Sequence, residues 1–363
     1  MTASAPAAPE LTDPVDRILL REAAVTLAET RGRVVVIDAV AGALVLAAAA
    51  AARRPATEIL LSCDSLADER QVTADLQEAD VEASWPAELD DLLAEATVVL
   101  LRLPKSLAGL DEIAEAIARR ADPDVRVFAA GRVKHMSHGM NRVLQRHFGT
   151  VTASLGQQKS RVLLASGPLA VEASPTYPVC RRHDDLDLTV CAHGAAFAGA
   201  DVDLGTRFLT GFLSQVSPAA HAVVDLGCGT GVLATLAARH LPNAHVRAVD
   251  DSRAACASAA ATATANGVGE RVIVSRADLL SGVADSSVDL VLCNPPFHRG
   301  TARDSDVAFA MFADARRALS SGGELWTVYN SHLPYLSTLR RVVGQTSVIG
   351  QNPSYLVTRS RVG

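Results

Sequence analysis

The chain has 363 residues, more than one ordinary core requires and about right for two domains. Its hydrophobic fraction of 49% suffices for sizeable cores, and a net charge of -6 excludes a uniformly basic nucleic-acid-coating protein. Residues 1–10, MTASAPAAPE, are rich in Ala and Pro and read as a disordered tail. They lack the basic start and apolar core of a secretory signal. Short Val/Ile/Leu runs then recur at 34–37, 59–61, 98–101, 223–226, 246–249, 272–274 and 290–292, separated by helical stretches. Unbroken β-branched runs between helices predict buried parallel strands, hence an α/β fold with doubly wound sheets. The apolar stretch 39–52 is too short to span a bilayer and reads as a buried strand-to-helix segment. The six cysteines form no CxxC pair and several lie in apolar runs, which predicts reduced, packed thiols and no zinc site.

The strand pattern occurs twice. VVVIDAVAGALVL surrounds Asp38 and AVVDLGCGTGVLA surrounds Asp225; about 26 residues later each half has a strand ending in acid, at Asp64 and Asp250. A further strand ends in Arg102-Leu103-Pro104-Lys105 in the first half and in Asn294-Pro295-Pro296-Phe297 in the second. Asp38 precedes Arg102 by 64 residues and Asp225 precedes Asn294 by 69. Three landmarks in one order favour an internal duplication whose first copy has decayed, over two unrelated α/β domains. Aligned on the two acids, Val40 and Leu44 face Gly227 and Gly231, so the first copy has lost its glycine turn and is expected to bind no cofactor. The Pro-rich stretch 166–185 reads as a linker between a domain at 11–165 and one at 186–363.

In the second half Asp225-Leu-Gly227-Cys-Gly229-Thr-Gly231 follows a strand and opens a helix. Glycines there let the backbone turn sharply and approach a ligand closely. Dinucleotide enzymes share such loops, but the spacing here is DxGxGxG, and an Asn-Pro-Pro-Phe motif follows. The pattern therefore points to S-adenosylmethionine as cofactor. Asp225 is expected near its amino-acid end, Asp250 at the ribose hydroxyls and Asp278 at the adenine amine. An acid at a strand–helix junction is often only a cap, and the series of three is what favours binding.

Asn294, Pro295, Pro296 and Phe297 are the expected catalytic residues. The prolines stiffen the backbone, and the Asn294 amide oxygen with the Pro295 carbonyl can accept both hydrogens of an exocyclic amine. Phe297 can stack on a base, a contact worth roughly 1–3 kcal/mol. Positioning carries most of such catalysis, and a paired base must be flipped out to be reached. Arg299 and Arg303 are candidates for gripping the nucleotide's backbone. Gly205, Thr206 and Asn330 are further candidates near the cofactor and the base.

No Asp or Glu occurs between 125 and 171, a stretch holding Arg132, Lys134, Arg142 and four further Lys or Arg residues. With Arg102 and Lys105 in the same half, it is a candidate phosphate-binding face rather than merely a solvated one. Two histidines in HMSH are too few for a metal site.

Much of the chain resembles the bacterial ribosomal RNA guanine-N2 methyltransferases with tandem methyltransferase-like domains. The matching stretches are LPKSLAGLDEIAEAIARR, VFAAGRVKHMSHGMNRVLQRHFGTV, HGAAFAGADVDLGTRFL, VVDLGCGTGVL, NPPFHRG, LSSGGELWTVYNSHLPY and SYLVTRS. The resemblance implies two tandem Rossmann-like class I methyltransferase domains, the first degenerate and positioning RNA. It also implies N2-methylation of a guanine in 16S or 23S rRNA, with rRNA or a ribosomal subunit as partner; reduced thiols predict a cytoplasmic protein, the short apolar run predicts no membrane span, and two domains in one chain suit a monomer. NPSYLV stands where family members often have a Lys-Phe pair. Adenine-N6 and protein glutamine-N5 methyltransferases use a similar clamp, but glutamine enzymes usually carry Tyr at the position of Phe297 and a small helical first domain. A non-catalytic RNA-binding assembly factor would have no need of an intact glycine loop and clamp.

Overall fold

The structure is a computed structural model that describes residues 11–52, 58–170, 172, 174–296 and 302–363, without the side chains of 302–305. The chain divides into two units, Met1–Tyr177 and Pro178–Gly363. The expected tail at 1–10 lies outside the described residues.

The first unit runs α1 (Pro14–Glu29), β1 (Arg33–Ile37), α2 (Gly42–Ala52), β2 (Ile59–Ser62), α3 (Leu66–Glu78), α4 (Leu89–Leu93), β3 (Ala96–Arg102), α5 (Leu107–Arg120), β4 (Arg126–Arg132), α6 (His138–His147), β5 (Phe148–Ala153) and β6 (Ser160–Pro168). The second runs β7 (Val179–His183), β8 (Leu188–Ala192), α7 (Leu204–Thr210), β9 (Ala222–Leu226), α8 (Val232–His240), β10 (His245–Asp250), α9 (Arg253–Ala265), β11 (Val272–Arg276), β12 (Val288–Cys293), α10 (Ala302–Ala318), β13 (Leu319–Asn330), α11 (Tyr335–Val342), β14 (Gln345–Gln351) and β15 (Tyr355–Arg361).

Each unit builds one large sheet with the same plan. The first is ordered β2-β1-β3-β4-β6-β5 and the second β11-β10-β9-β12-β13-β15-β14. In both, the last two pairings in the order are antiparallel and the rest parallel, so that only β6 and β15 run against the other strands. The central strands are buried along nearly their whole length because helices cover both faces, which explains their continuous apolar runs. The uniformly apolar helix α2 packs Leu44, Val45 and Ala48 into the same core as Val34, Val36 and Leu100. Ser65, Ser106 and Ser252 each cap the helix that follows them by accepting a backbone N–H.

Register corrects the alignment of the two halves. Ile37 pairs with Ser62 and Leu101, as Leu226 pairs with Val249 and Cys293. One residue on, the Asp38 N–H donates to the Ser62 carbonyl at 2.8 Å and the Gly227 N–H to that of Val249 at 2.9 Å. Both residues have positive φ, 59° and 73°. Asp38 therefore stands where Gly227 stands, not where Asp225 does, and Val40 and Gly42 face Gly229 and Gly231. Cys63 takes the place of Asp250. The first unit also has no counterpart of β11 among its described residues; beyond β2 there is only the isolated bridge of Leu60 to Ser84.

Two further expectations are corrected. The segment 166–185 is not a linker throughout: its start belongs to β6, and 179–183 forms β7, which pairs antiparallel with β8. That pairing sets Cys180 directly opposite Cys191, and the two form a disulfide, so they are not the reduced thiols expected. Cys63, Cys228, Cys256 and Cys293 form no disulfide among the described residues. No helix of the described residues is long and apolar enough to cross a membrane.

Candidate active site

At the junction of β9 and α8 the chain turns back over the end of β10. Gly227 and Cys228 donate to the Val249 carbonyl, and the Gly229 N–H donates to Asp250 Oδ2 at 2.9 Å. The other Asp250 oxygen accepts from the Ser252 N–H at 3.0 Å. Asp250 thus fixes the glycine loop while remaining half-buried at the strand end. Asp225 lies beneath the loop, only 1% exposed. Its Oδ2 accepts the Ala234 N–H at 2.9 Å, while Oδ1 is buried and has no hydrogen-bond partner among the described residues. Burial, reinforced by the charge of Asp250 and opposed by the Ala234 N–H, pushes its carboxyl up to about 7. Asp225 therefore does not open onto the surface as a free anion. Asp278 is exposed just beyond β11, whose end is tied to β10 by the Ala277 N–H donating to the Asp250 carbonyl.

The loop fits a ligand that needs close backbone approach. A Cβ on Gly229 would meet nothing within 4 Å among the described residues, so open space faces this turn. A Cβ on Gly231, at φ +74°, would lie 2.8 Å from both Cα and Cβ of Ala259 in α9. Gly231→Ala is therefore expected to force α8 from α9 and cost about 1–3 kcal/mol, abolishing cofactor binding with it. Gly229→Ala, at φ +52°, is expected to cost about 1 kcal/mol through backbone strain alone, less than Gly231→Ala, and to weaken cofactor affinity because its methyl enters the open space facing the loop. Calorimetric titration with thermal melts of both variants checks the contrast.

Asn294 follows β12, next to β9 in the sheet. Its Nδ2 donates to Asp203 Oδ2 and to Thr206 Oγ1, both at 2.9 Å. Its Oδ1 is buried and accepts no hydrogen bond from the described residues. Pro295 is buried, and its carbonyl receives no hydrogen bond from the described residues; Pro296 is exposed. An acceptor left unsatisfied in a buried site costs about 1–3 kcal/mol, which a ligand's donor would recover. Asn330 ends β13 and pairs with Tyr355 across to β15, beside the same site. Cys293 and Cys228 have thiols pushed up by burial, so neither offers a thiolate nucleophile here. Phe297 and Arg299 lie outside the described residues, as does the side chain of Arg303.

Asp203 and Tyr355 were not singled out in the sequence. The DLGT run at 203–206 carries a readable signal for Asp203, an N-cap: its Oδ2 accepts the Thr206 N–H at 3.0 Å. Nothing in the sequence links it to Asn294, 91 residues away.

On the first unit, Arg102 is corrected. It is no free cation: α1 brings Asp13 and Asp16 against it, and it pairs with both, at 17% side-chain exposure. Arg146 and His147 are likewise occupied, by Asp111 of α5 at 2.8 and 2.7 Å. Lys105, Lys134 and Arg142 are exposed and Arg132 half-buried, and none forms an ion pair among the described residues. Lys134 lies just after β4, and Arg142 on the α6 that follows.

Comparison with known proteins agrees with the two units. A Methyltransferase small domain matches residues 187–359 and an RLMG N-terminal domain matches residues 12–169. With this sheet order and glycine loop, the second unit is a class I S-adenosylmethionine-dependent methyltransferase domain, and the first repeats its architecture without the loop. Ribosomal RNA large subunit methyltransferase G of Pseudomonas savastanoi pv. phaseolicola is 35% identical over 352 residues, 96% of this chain and 92% of the relative. The protein of that name from Streptomyces avermitilis is 36% identical over 359 residues, with the same coverages. The chain belongs to this family, the tandem-domain methyltransferases of bacterial ribosomal RNA. The Thermus thermophilus 16S rRNA N2 G1207 methyltransferase RsmC, solved with AdoMet and guanosine, shares the fold over 99% of this chain and 94% of its own. The TM-score is 0.74 at 22% identity.

Proposed function

We propose that the protein methylates the exocyclic N2 amine of a guanine in large-subunit ribosomal RNA. The observation that carries this reading is Asn294: its Nδ2 is held by two partners, while its Oδ1 is buried and unsatisfied. The site thus offers an acceptor that an amine hydrogen completes. The Pro295 carbonyl is the second acceptor, and together they hold both N–H groups of one NH2. Accepting both hydrogens draws the nitrogen out of the base plane and leaves its lone pair pointing away from the clamp. S-adenosylmethionine, held by the glycine loop, Asp250 and Asp278, supplies a methyl group activated on a sulfonium. Asp225 supports the loop from beneath through its bond to the first turn of α8. Positioning is the main catalytic task, and among the described residues no side chain is arranged as a strong general base. The choice of guanine and of the large subunit is supported by the relatives' names and by the guanosine in the RsmC complex. Phe297 is proposed to stack on the flipped base, with Arg299 at its backbone.

The test is mass spectrometry of rRNA nucleosides from a deletion strain. One N2-methylguanosine in the large subunit should disappear and return with the wild-type chain. Loss of N6-methyladenosine instead would make adenine the target, and no loss in rRNA would overturn the reading.

The first unit, with neither glycine loop nor clamp, is proposed to position the RNA through Lys105, Arg132, Lys134 and Arg142. Lys134→Glu with Arg142→Glu is expected to weaken rRNA binding about tenfold or more and to reduce the salt slope by about two. Filter binding at several salt concentrations checks it, with cofactor affinity unchanged. A cytoplasmic location is proposed with this substrate, and a monomeric state is proposed because one chain carries both units.

A further inference from the structure

A side-chain amide shows a substrate either an acceptor or a pair of donors, depending on which end faces it. At Asn294 the neighbours decide. Asp203 Oδ2 and Thr206 Oγ1 each lie 2.9 Å from Nδ2. A carboxylate only accepts, so a flipped amide would set two oxygens against each other. Asp203 is itself held: its Oδ2 also takes the Thr206 N–H at 3.0 Å, tying it to the start of α7. Gly205 packs closely against the pair. A Cβ on Gly205 would fall 3.1 Å from Asp203 Oδ2, 3.3 Å from the Tyr355 ring and 3.5 Å from Asn294 Oδ1.

We propose that Asp203 and Thr206 are positioning residues that fix the polarity of the clamp, so that it presents acceptors and takes an amine in preference to a carbonyl. This rests on the proposed role of Asn294. With Nδ2 engaged twice, the only free end of the amide is Oδ1. A base edge offering a carbonyl there would place oxygen against oxygen and find no donor. An edge offering NH2 satisfies the buried acceptor. Discrimination between amine and carbonyl edges is therefore built into residues that need not touch the substrate.

The test is single-turnover methylation of rRNA by the full-length protein, with cofactor affinity measured alongside. Asp203→Ala is expected to lower the rate constant about 30-fold, with KM for rRNA and cofactor Kd changed by less than about threefold. Asp203→Asn keeps an oxygen able to accept both N–H groups and should recover to within about tenfold of wild type. Thr206→Val, which leaves the cap intact, should lose about five- to tenfold, and Thr206→Ser should restore it. If Asp203→Ala does not fold, the Thr206 pair decides. Losses confined to cofactor Kd or to KM, or full activity in both Asp203→Ala and Thr206→Val while Asn294→Ala is dead, would overturn the inference. An active Asn294→Ala would instead bring down the reading beneath it.

Discussion

Asn294→Ala is expected to slow methyl transfer by about 10²–10³-fold or more while leaving cofactor affinity within about threefold. The truncation removes the one buried side-chain acceptor of the clamp and strands the two groups that hold its Nδ2. The cofactor loop, at the junction of β9, α8 and β10, makes no hydrogen bond to Asn294 among the described residues and should survive. Asn294→Asp is the sharper variant. It keeps an acceptor toward the substrate but puts a second carboxylate oxygen where Nδ2 now donates to Asp203. Repulsion between the two should make it at least as inactive as the alanine. Single-turnover transfer of a labelled methyl group, with calorimetry for the cofactor, separates the two effects. A turnover near wild type in Asn294→Ala would remove the clamp from the mechanism.

Much of this site was legible because its parts are local. A β-branched run, three glycines and an Asn-Pro-Pro turn are each written within a few residues, and their order along the chain places them at neighbouring strand ends. What was misread depended on partners far away. Arg102 looked like a free cation until α1 brought Asp13 and Asp16, 89 and 86 residues earlier, against it. Cys180 and Cys191 meet only because 179–183 is a strand, which a Pro-rich neighbourhood disguised. Asp38 and Asp225 were matched because both are acids beside apolar runs, yet hydrogen-bond register puts them two positions apart. The correct match makes the decay of the first unit plainer: Asp38 and Val40 replace two of the three loop glycines, and Cys63 replaces the acid that ties the loop down. Among the described residues the first sheet stops at β2, so the strand tip that lacks this carboxylate also lacks a neighbour corresponding to β11.

The second large effect concerns Asp225 and is a trade between stability and binding. Its carboxyl, ordinarily near 3.8, is pushed to about 7 in the cofactor-free fold, first by burial and then by the charge of Asp250. Between pH 4 and 7 the folded state therefore retains a proton that the unfolded chain has released. Linkage makes stability fall as pH rises through that window and level off above it, a loss of roughly 2–4 kcal/mol from this group. Asp38, pushed to about 6 chiefly by its own burial, acts in the same direction in the first unit, so the wild-type profile has two contributors. Asp225→Asn isolates one. An amide oxygen can still accept the Ala234 N–H, and nothing at that position can ionise. The cofactor-free variant is expected to melt higher than wild type at pH 8 and to converge with it near pH 4–5. The cofactor carries an ammonium that a nearby carboxylate favours, so its addition should raise the Tm of wild type at pH 8 far more than that of the variant. Thermal denaturation at both pH values, with and without S-adenosylmethionine, reads all four states. A variant less stable than wild type at pH 8 would mean that the buried carboxylate stabilises the fold, and that its orphaned Oδ1 is not held in place for a ligand. The opposite result would identify the buried acid as a cost the apo-protein carries for the sake of its cofactor.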